Sequence, residues 1–181
     1  MKLIRHPPNA TIKNELMKEK MKRERYELLC KQVESLAAGE TNVVGVLANV
    51  SAAMKTMFPE EFFWVGFYKK APEGGRLLLG PFQGTVACYS IPYGKGVCGT
   101  AWKERKTLVV PDVEEFPGHI ACSSLSRSEI VVPMFLPDED EEDGLGEVWG
   151  VIDIDSTELG TFDEVDAEYL ERIATILSKC A

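Results

Sequence analysis

No stretch of this 181-residue chain approaches the roughly 20 consecutive apolar residues that a membrane-spanning helix needs, so no membrane role is expected. The opening Met1-Lys-Leu-Ile-Arg-His-Pro-Pro lacks the apolar run of a secretory signal, and a cytoplasmic location is expected. The five cysteines are an odd number and include no Cys-x-x-Cys pair. That usage speaks against a permanent disulfide framework and against a zinc cluster, and for free, catalytic or transiently paired thiols. Positive charge is scarce outside the start. Residues 1 to 25 carry a surplus of five positive charges, and residues 26 to 181 sum to −14. So acidic a body disfavours a nucleic-acid surface, which needs clustered cations.

What remains, 45% hydrophobic and 27% charged side chains, suits one globular domain with a full core. Residues 1 to 12 read as a flexible lead-in and residues 13 to 181 as the domain. Leu16, Met17, Met21, Leu28, Leu29, Val33 and Leu36 recur at helical spacing and predict an amphipathic helix ending near Gly39. Thr41 can cap a second helix carrying Val43, Val44, Leu47, Val50, Met54 and Met57. From Glu61 the pattern turns to aromatic and β-branched runs: Phe62 to Tyr68, Arg76 to Gly80, Thr107 to Val110, Glu129 to Leu136 and Glu147 to Asp155. Residues 71 to 75 join the first pair as a hairpin, Cys98 to Arg105 reads as a short helix, and Thr161-Phe-Asp-Glu opens a last helix with Val165, Leu170, Ile173, Ala174 and Leu177 inward. An α+β fold follows: an antiparallel sheet flanked by N- and C-terminal helices. The acidic run over residues 138 to 143 is expected at an exposed hairpin tip.

Three cysteines lie in Gly- and turn-rich phrases: Gly80-Pro-Phe-Gln-Gly-Thr-Val-Ala-Cys88, Tyr93-Gly-Lys-Gly-Val-Cys98-Gly and Pro117-Gly-His-Ile-Ala-Cys122. Loops give thiols the exposure that redox chemistry needs, and the three could converge on one site. Cys30 and Cys180, on predicted helices, read as small buried hydrophobes. Spacings of ten and twenty-four residues between the three suit zinc poorly, and no metal or cofactor is expected. On a strand, alternation puts Asp153 and Asp155 on one face, and the strand from Glu129 could lie beside it.

The order of elements and the phrases Phe63-Trp64-Val-Gly-Phe-Tyr68, Gly94-Lys-Gly-Val-Cys-Gly99, Pro111-Asp-Val, Ser128-Glu-Ile-Val-Val-Pro133 and Gly150-Val-Ile-Asp-Ile-Asp155 resemble a GAF domain, and the cysteine spacing makes the likeness more specific than that of a sensor module. More closely, the chain from about residue 40 onward resembles the free methionine-R-sulfoxide reductases. The resemblance implies an enzyme that reduces the R-sulfoxide of the free amino acid and is recycled by a thioredoxin-like dithiol protein. It implies that Cys122 attacks, that Cys88 and Cys98 resolve, with Cys88 favoured as the first, and that Trp64 packs on the substrate's methyl end. It also implies that Glu129, Asp153 and Asp155 hold the substrate and polarise its sulfoxide.

The chemistry needs such a set. A thiolate displaces the sulfoxide oxygen only if an acid protonates it, and crowded carboxylates keep one of their number protonated near neutral pH. His119 could stabilise the thiolate or serve only as a structural hydrogen-bonder. The rival readings are a GAF module that binds and senses a small ligand, and a thiol redox switch without reductase activity. The long first helix could pack across a homodimer or cover its own sheet.

Overall fold

The computed structural model describes residues 10–120, 122–138, 140, 141 and 144–180, with side chains from residue 12 onward. Helix α1 spans Ala10–Ala37. The expected lead-in over residues 1 to 12 lies outside the described residues up to residue 9, and is helical from Ala10, where no helix breaker intervenes. The apolar stripe of α1 divides. Leu29 and Val33 are buried as expected and are joined by Tyr26 and Cys30, whereas Leu16, Met17, Met21 and Leu28 are 53 to 59% exposed.

The reason for that split is where α1 finds a partner. Helix α4, Glu164–Leu177, meets it from Lys22 onward, through ion pairs Lys22–Asp163, Lys22–Asp166, Arg23–Glu168 and Arg172–Glu27. The buried Tyr26 hydroxyl donates to Asp166 Oδ1 at 2.7 Å. Asp166 also accepts the backbone N–H of Asp163, which caps α4 in return through the N–H groups of Val165 and Asp166. Helix α2, Val43–Met57, is capped by Asn42, whose side chain accepts from Gly45 N, and not by Thr41. Cys30 is fully buried as expected, while Cys180 is only half-buried.

The strands are β1 Trp64–Lys70, β2 Arg76–Gln83, β3 Ser90–Pro92, β4 Leu108–Val110, β5 Ser128–Pro137 and β6 Leu145–Ser156. They form one antiparallel sheet in the order β3-β2-β1-β6-β5-β4. Residues 71 to 75 turn β1 into β2 as expected, and the short helix α3, Gly96–Glu104, follows β3. β3 is an addition to the expected strands, three residues long within the turn-rich segment. The described acidic residues Asp138, Asp140 and Glu141 lie in the turn between β5 and β6, while residues 139, 142 and 143 lie outside the described residues.

Strand alternation sends two residue sets to opposite sides. Val65, Phe67, Ile130, Val132, Ile152 and Ile154 pack under α1, α2 and α4 in the main core. Trp64, Tyr68, Val131 and Val151 face the other way, under α3 and its loops, in a smaller second core. No described helix is long and apolar enough to cross a membrane.

Asp166→Ala should lower the unfolding free energy by about 2–4 kcal/mol, because it strips the α4 capping box and leaves the Tyr26 hydroxyl and Lys22 ammonium without their acceptor. Urea denaturation followed by circular dichroism measures this; an unchanged midpoint would mean that the network does not fasten α1 to α4.

Candidate active site

The second face of the sheet carries the acids. Antiparallel pairing sets Glu129 of β5 opposite Asp155 of β6, with Trp64 of β1 opposite Asp155 on its other side. Two residues along, Asp153 lies between Val131 and Gly66. Glu129 and Asp153 are 6% and 7% exposed, and Asp155 is somewhat more open. Side chains directly opposite on neighbouring strands stand about 5 Å apart, so three carboxyl groups crowd one patch of sheet.

Crowding and burial decide their protonation. Burial pushes the Glu129 carboxyl well up, and the charges of Asp153 and Asp155 push it further. Asp153 rises for the same reasons, against hydrogen bonds with Cys98 and Glu129 that pull down. Asp155 is pushed up to about 6 by burial, with the Ser126 hydrogen bond opposing. Oδ1 of Asp153 is buried and has no hydrogen-bond partner. The cluster therefore holds protons near neutral pH and keeps one acceptor unsatisfied, both useful to a site that must donate a proton and bind a cation.

Above the acids come the thiols. Cys98 sits on the first turn of α3, 3% exposed, its thiol pushed well up by burial and by Asp153 and Glu129. Lys95 precedes α3 without a side-chain cap, and the first helical residues Gly96 and Val97 line the same cavity as Cys98. Cys88 and Cys122 are joined in a disulfide with Cα atoms 5.5 Å apart, Cys122 exposed and Cys88 half-buried. His119 Nε2 lies 3.8 Å from Glu129 Oε2, and burial lowers its pKa.

The cavity that these groups enclose measures only about 30 Å³. That is room for one or two waters and not for an amino acid. Trp64 stands one strand from Asp155 but does not line this cavity; its indole N–H donates to Thr85 O at 3.0 Å and its ring stacks on Phe82. Gly84, at φ +139°, closes over that ring so tightly that a Cβ would lie 2.6 Å from Cδ1 of the indole. The disulfide pins down the same loop. A larger groove of about 510 Å³, between α4 and the turn end of the β5–β6 hairpin, holds no thiol.

Of the residues expected from sequence, Cys88, Cys98, Cys122, Glu129, Asp153 and Asp155 are brought together, and Trp64 adjoins them behind the loop of residues 83 to 88. Ser126, which holds Asp155, had no sequence signal, because a serine between turns is indistinguishable from loop filler.

Residues 40–179 match the GAF domain family. Free methionine-R-sulfoxide reductase of Saccharomyces cerevisiae is 44% identical over 178 residues, covering 96% of this chain and 93% of that protein. The protein of that name in Escherichia coli is 40% identical over 158 residues, covering 87% and 89%. The X-ray structure of free methionine-R-sulfoxide reductase from Neisseria meningitidis in complex with its substrate aligns at TM-score 0.79 and 44% identity, covering 99% of this chain and 95% of that one. The chain belongs to the GAF-domain family of free methionine-R-sulfoxide reductases. The antiparallel sheet with flanking helices is the GAF fold expected from the sequence.

In a member of this family with its acids so buried, stability must depend on pH. The folded pKa of Asp155, about 6, lies above its ordinary value of 3.8, so folding favours the protonated form. That contribution is complete below about pH 4 and is lost as pH rises through the folded value. Asp155→Asn should remove this decline and leave the variant more stable at neutral pH by about 1–3 kcal/mol. Urea midpoints across the pH range check the sign; a variant less stable than its parent at neutral pH contradicts it.

Proposed function

We propose that this protein reduces the R-sulfoxide of free L-methionine to methionine, by attack of Cys122 on the sulfoxide sulfur. The observation that carries the reading is an exposed Cys88–Cys122 disulfide lying over a buried face of three proton-holding acids. The family relatives named for this activity support it.

The reaction divides into balanced steps. The Cys122 thiolate attacks the sulfoxide sulfur, Glu129 or Asp155 protonates the oxygen as the S–O bond breaks, and transfer of that oxygen to the cysteine sulfur releases methionine and leaves a sulfenic acid on Cys122. The Cys88 thiol then attacks that sulfenic sulfur, water departs, and the disulfide remains. Cys98, whose thiol is buried beside Asp153, is the second resolving thiol. A thioredoxin-like dithiol protein reduces the exposed disulfide by exchange and so supplies the electrons. Thiols carry every electron, so the cycle needs no cofactor or metal. Asp153 and Asp155 hold the substrate ammonium, the uncapped first turn of α3 receives its carboxylate, and Trp64 meets the methyl end. Enclosing both charged ends of the amino acid excludes methionine within a peptide.

In the disulfide state the cavity is too small for the substrate, so the loop of residues 83 to 88 must withdraw on reduction and uncover Trp64. Free methionine should therefore bind the reduced protein and not the oxidised one in calorimetry; equal binding to both would rule out this gating. Free cysteines at Cys30, Cys98 and Cys180 fit a cytoplasmic setting. The exposed apolar residues Leu16, Met17, Met21 and Leu28 of α1 favour a homodimer through that helix, with light scattering reading about twice the chain mass of 20.1 kDa.

The decisive assay supplies dithiothreitol with free L-methionine-R-sulfoxide, its S epimer, or a peptide-bound form. Turnover confined to the free R epimer, abolished in Cys122→Ser and lowered about 100-fold in kcat by Glu129→Gln, is the expected result. A folded, fully reduced protein without turnover on any of the three returns the chain to ligand-sensing modules.

A further inference from the structure

The acid face brings a sulfur donor and two carboxylates together in one closed cavity. Cys98 Sγ, a carboxylate oxygen of Glu129 and one of Asp153 all lie within 4.8 Å of one another, each on a residue at least nine-tenths buried. Asp153, which also lines the cavity beside Cys98 and Glu129, has its Oδ1 buried without a hydrogen-bond partner. His119 adds an imidazole nitrogen 3.8 Å from Glu129 Oε2. The cavity there, about 30 Å³, is closed to an amino acid while the Cys88–Cys122 disulfide is in place, yet it has room for a single ion.

We propose that Cys98, Glu129 and Asp153, with His119 as fourth donor, form a binding site for a thiophilic divalent cation of the zinc class. The donor set is one sulfur, two oxygens and one imidazole nitrogen, which suits zinc and its cobalt and cadmium analogues. Magnesium and calcium take oxygen ligands in larger number. Bond lengths of about 2.3 Å to sulfur and about 2.0 Å to oxygen bring tetrahedral ligands to within about 3.5 Å of one another, so side-chain adjustments of about 1 Å bring Cys98, Glu129 and Asp153 onto one ion, and His119 has to turn in from beside Glu129 to complete the set. Binding releases the thiol proton and the carboxyl protons to water, with no change of oxidation state. The spacing that speaks against zinc in the sequence concerns three cysteines as ligands. Here only Cys98 serves, and the sheet delivers the carboxylates.

The cation is not a participant in the reduction. It occupies the acids that hold the substrate ammonium in the proposed reaction and ties up one resolving thiol, so it acts as an inhibitor that competes with free methionine for the reduced protein. The site shares residues with the proposed reductase site, but its occupancy is read without turnover, so either reading can fail alone.

The test titrates the intact, disulfide-bonded protein with Co2+ and follows the thiolate-to-cobalt charge-transfer absorption. In that form Cys88 and Cys122 cannot ligate. The expected result is one equivalent bound with the charge-transfer band, displacement by Zn2+, no band in Cys98→Ser, and affinity lowered at least about tenfold in Asp153→Asn and in Glu129→Gln. Should Cys98→Ser not fold, the two near-isosteric amide variants decide the matter. Absence of the band in the wild type, a band that survives Cys98→Ser, unchanged affinity in both amide variants, or a band that appears only after the disulfide is reduced would each overturn the proposal.

Discussion

The pairing of Glu129 with Asp155 across β5 and β6, with Asp153 two residues along, is the constraint around which the molecule is arranged. Like-charged groups opposite one another in a sheet are destabilising, and a buried, uncompensated charge costs several kcal/mol. The same two strands meet that cost on their other face. Ile130, Val132, Ile152 and Ile154 alternate with the acids and are buried against the three long helices. Strand periodicity thus gives one pair of strands both the strongest part of the core and the most strained part of the site. Protonation relieves the remainder, since Glu129 and Asp153 are both driven toward their neutral forms.

Above this face the three site thiols sit in two mechanical settings. Cys98 is held by a helix, buried and raised in pKa by its acidic neighbours, which makes it a poor first nucleophile. Cys88 and Cys122 lie in loops, close enough to bond, with Cys122 exposed. A thiol that attacks a substrate and then must be reached by a protein reductant needs to be exposed, and a thiol held in reserve does not. The arrangement accordingly favours Cys122 for attack and Cys88 for the first closure.

Much of this was legible in the sequence because it rests on short-range rules. The alternation through Asp153 and Asp155, the turn at residues 71 to 75 and the inward stripe of α4 are local patterns, and all appear in the fold. What was not legible depends on distant partners. The exposed apolar residues at the start of α1 obey helical spacing as well as the buried ones do, and only the reach of α4 separates Leu16 from Leu29. Asn42 displaces Thr41 as a cap by one residue, its side chain accepting from Gly45 N. β3 is too short, and too rich in turn residues around it, to register as a strand. The shut cavity is the least legible feature, since it follows from a disulfide that joins residues 34 apart in sequence.

One unsatisfied oxygen, Asp153 Oδ1, links the site's two cation readings. A buried carboxylate beside a second carboxylate is either protonated or matched by a cation, and the cavity volume decides which cation fits. With the disulfide closed there is space only for an ion; in the proposed cycle the loop of residues 83 to 88 withdraws and makes space for an ammonium on an amino acid. On that reading redox state, through the position of one loop, limits the size of the positive group that the acid face accepts. The backbone under the three acids keeps its place in either case, because it is set by strand register rather than by the loops above them.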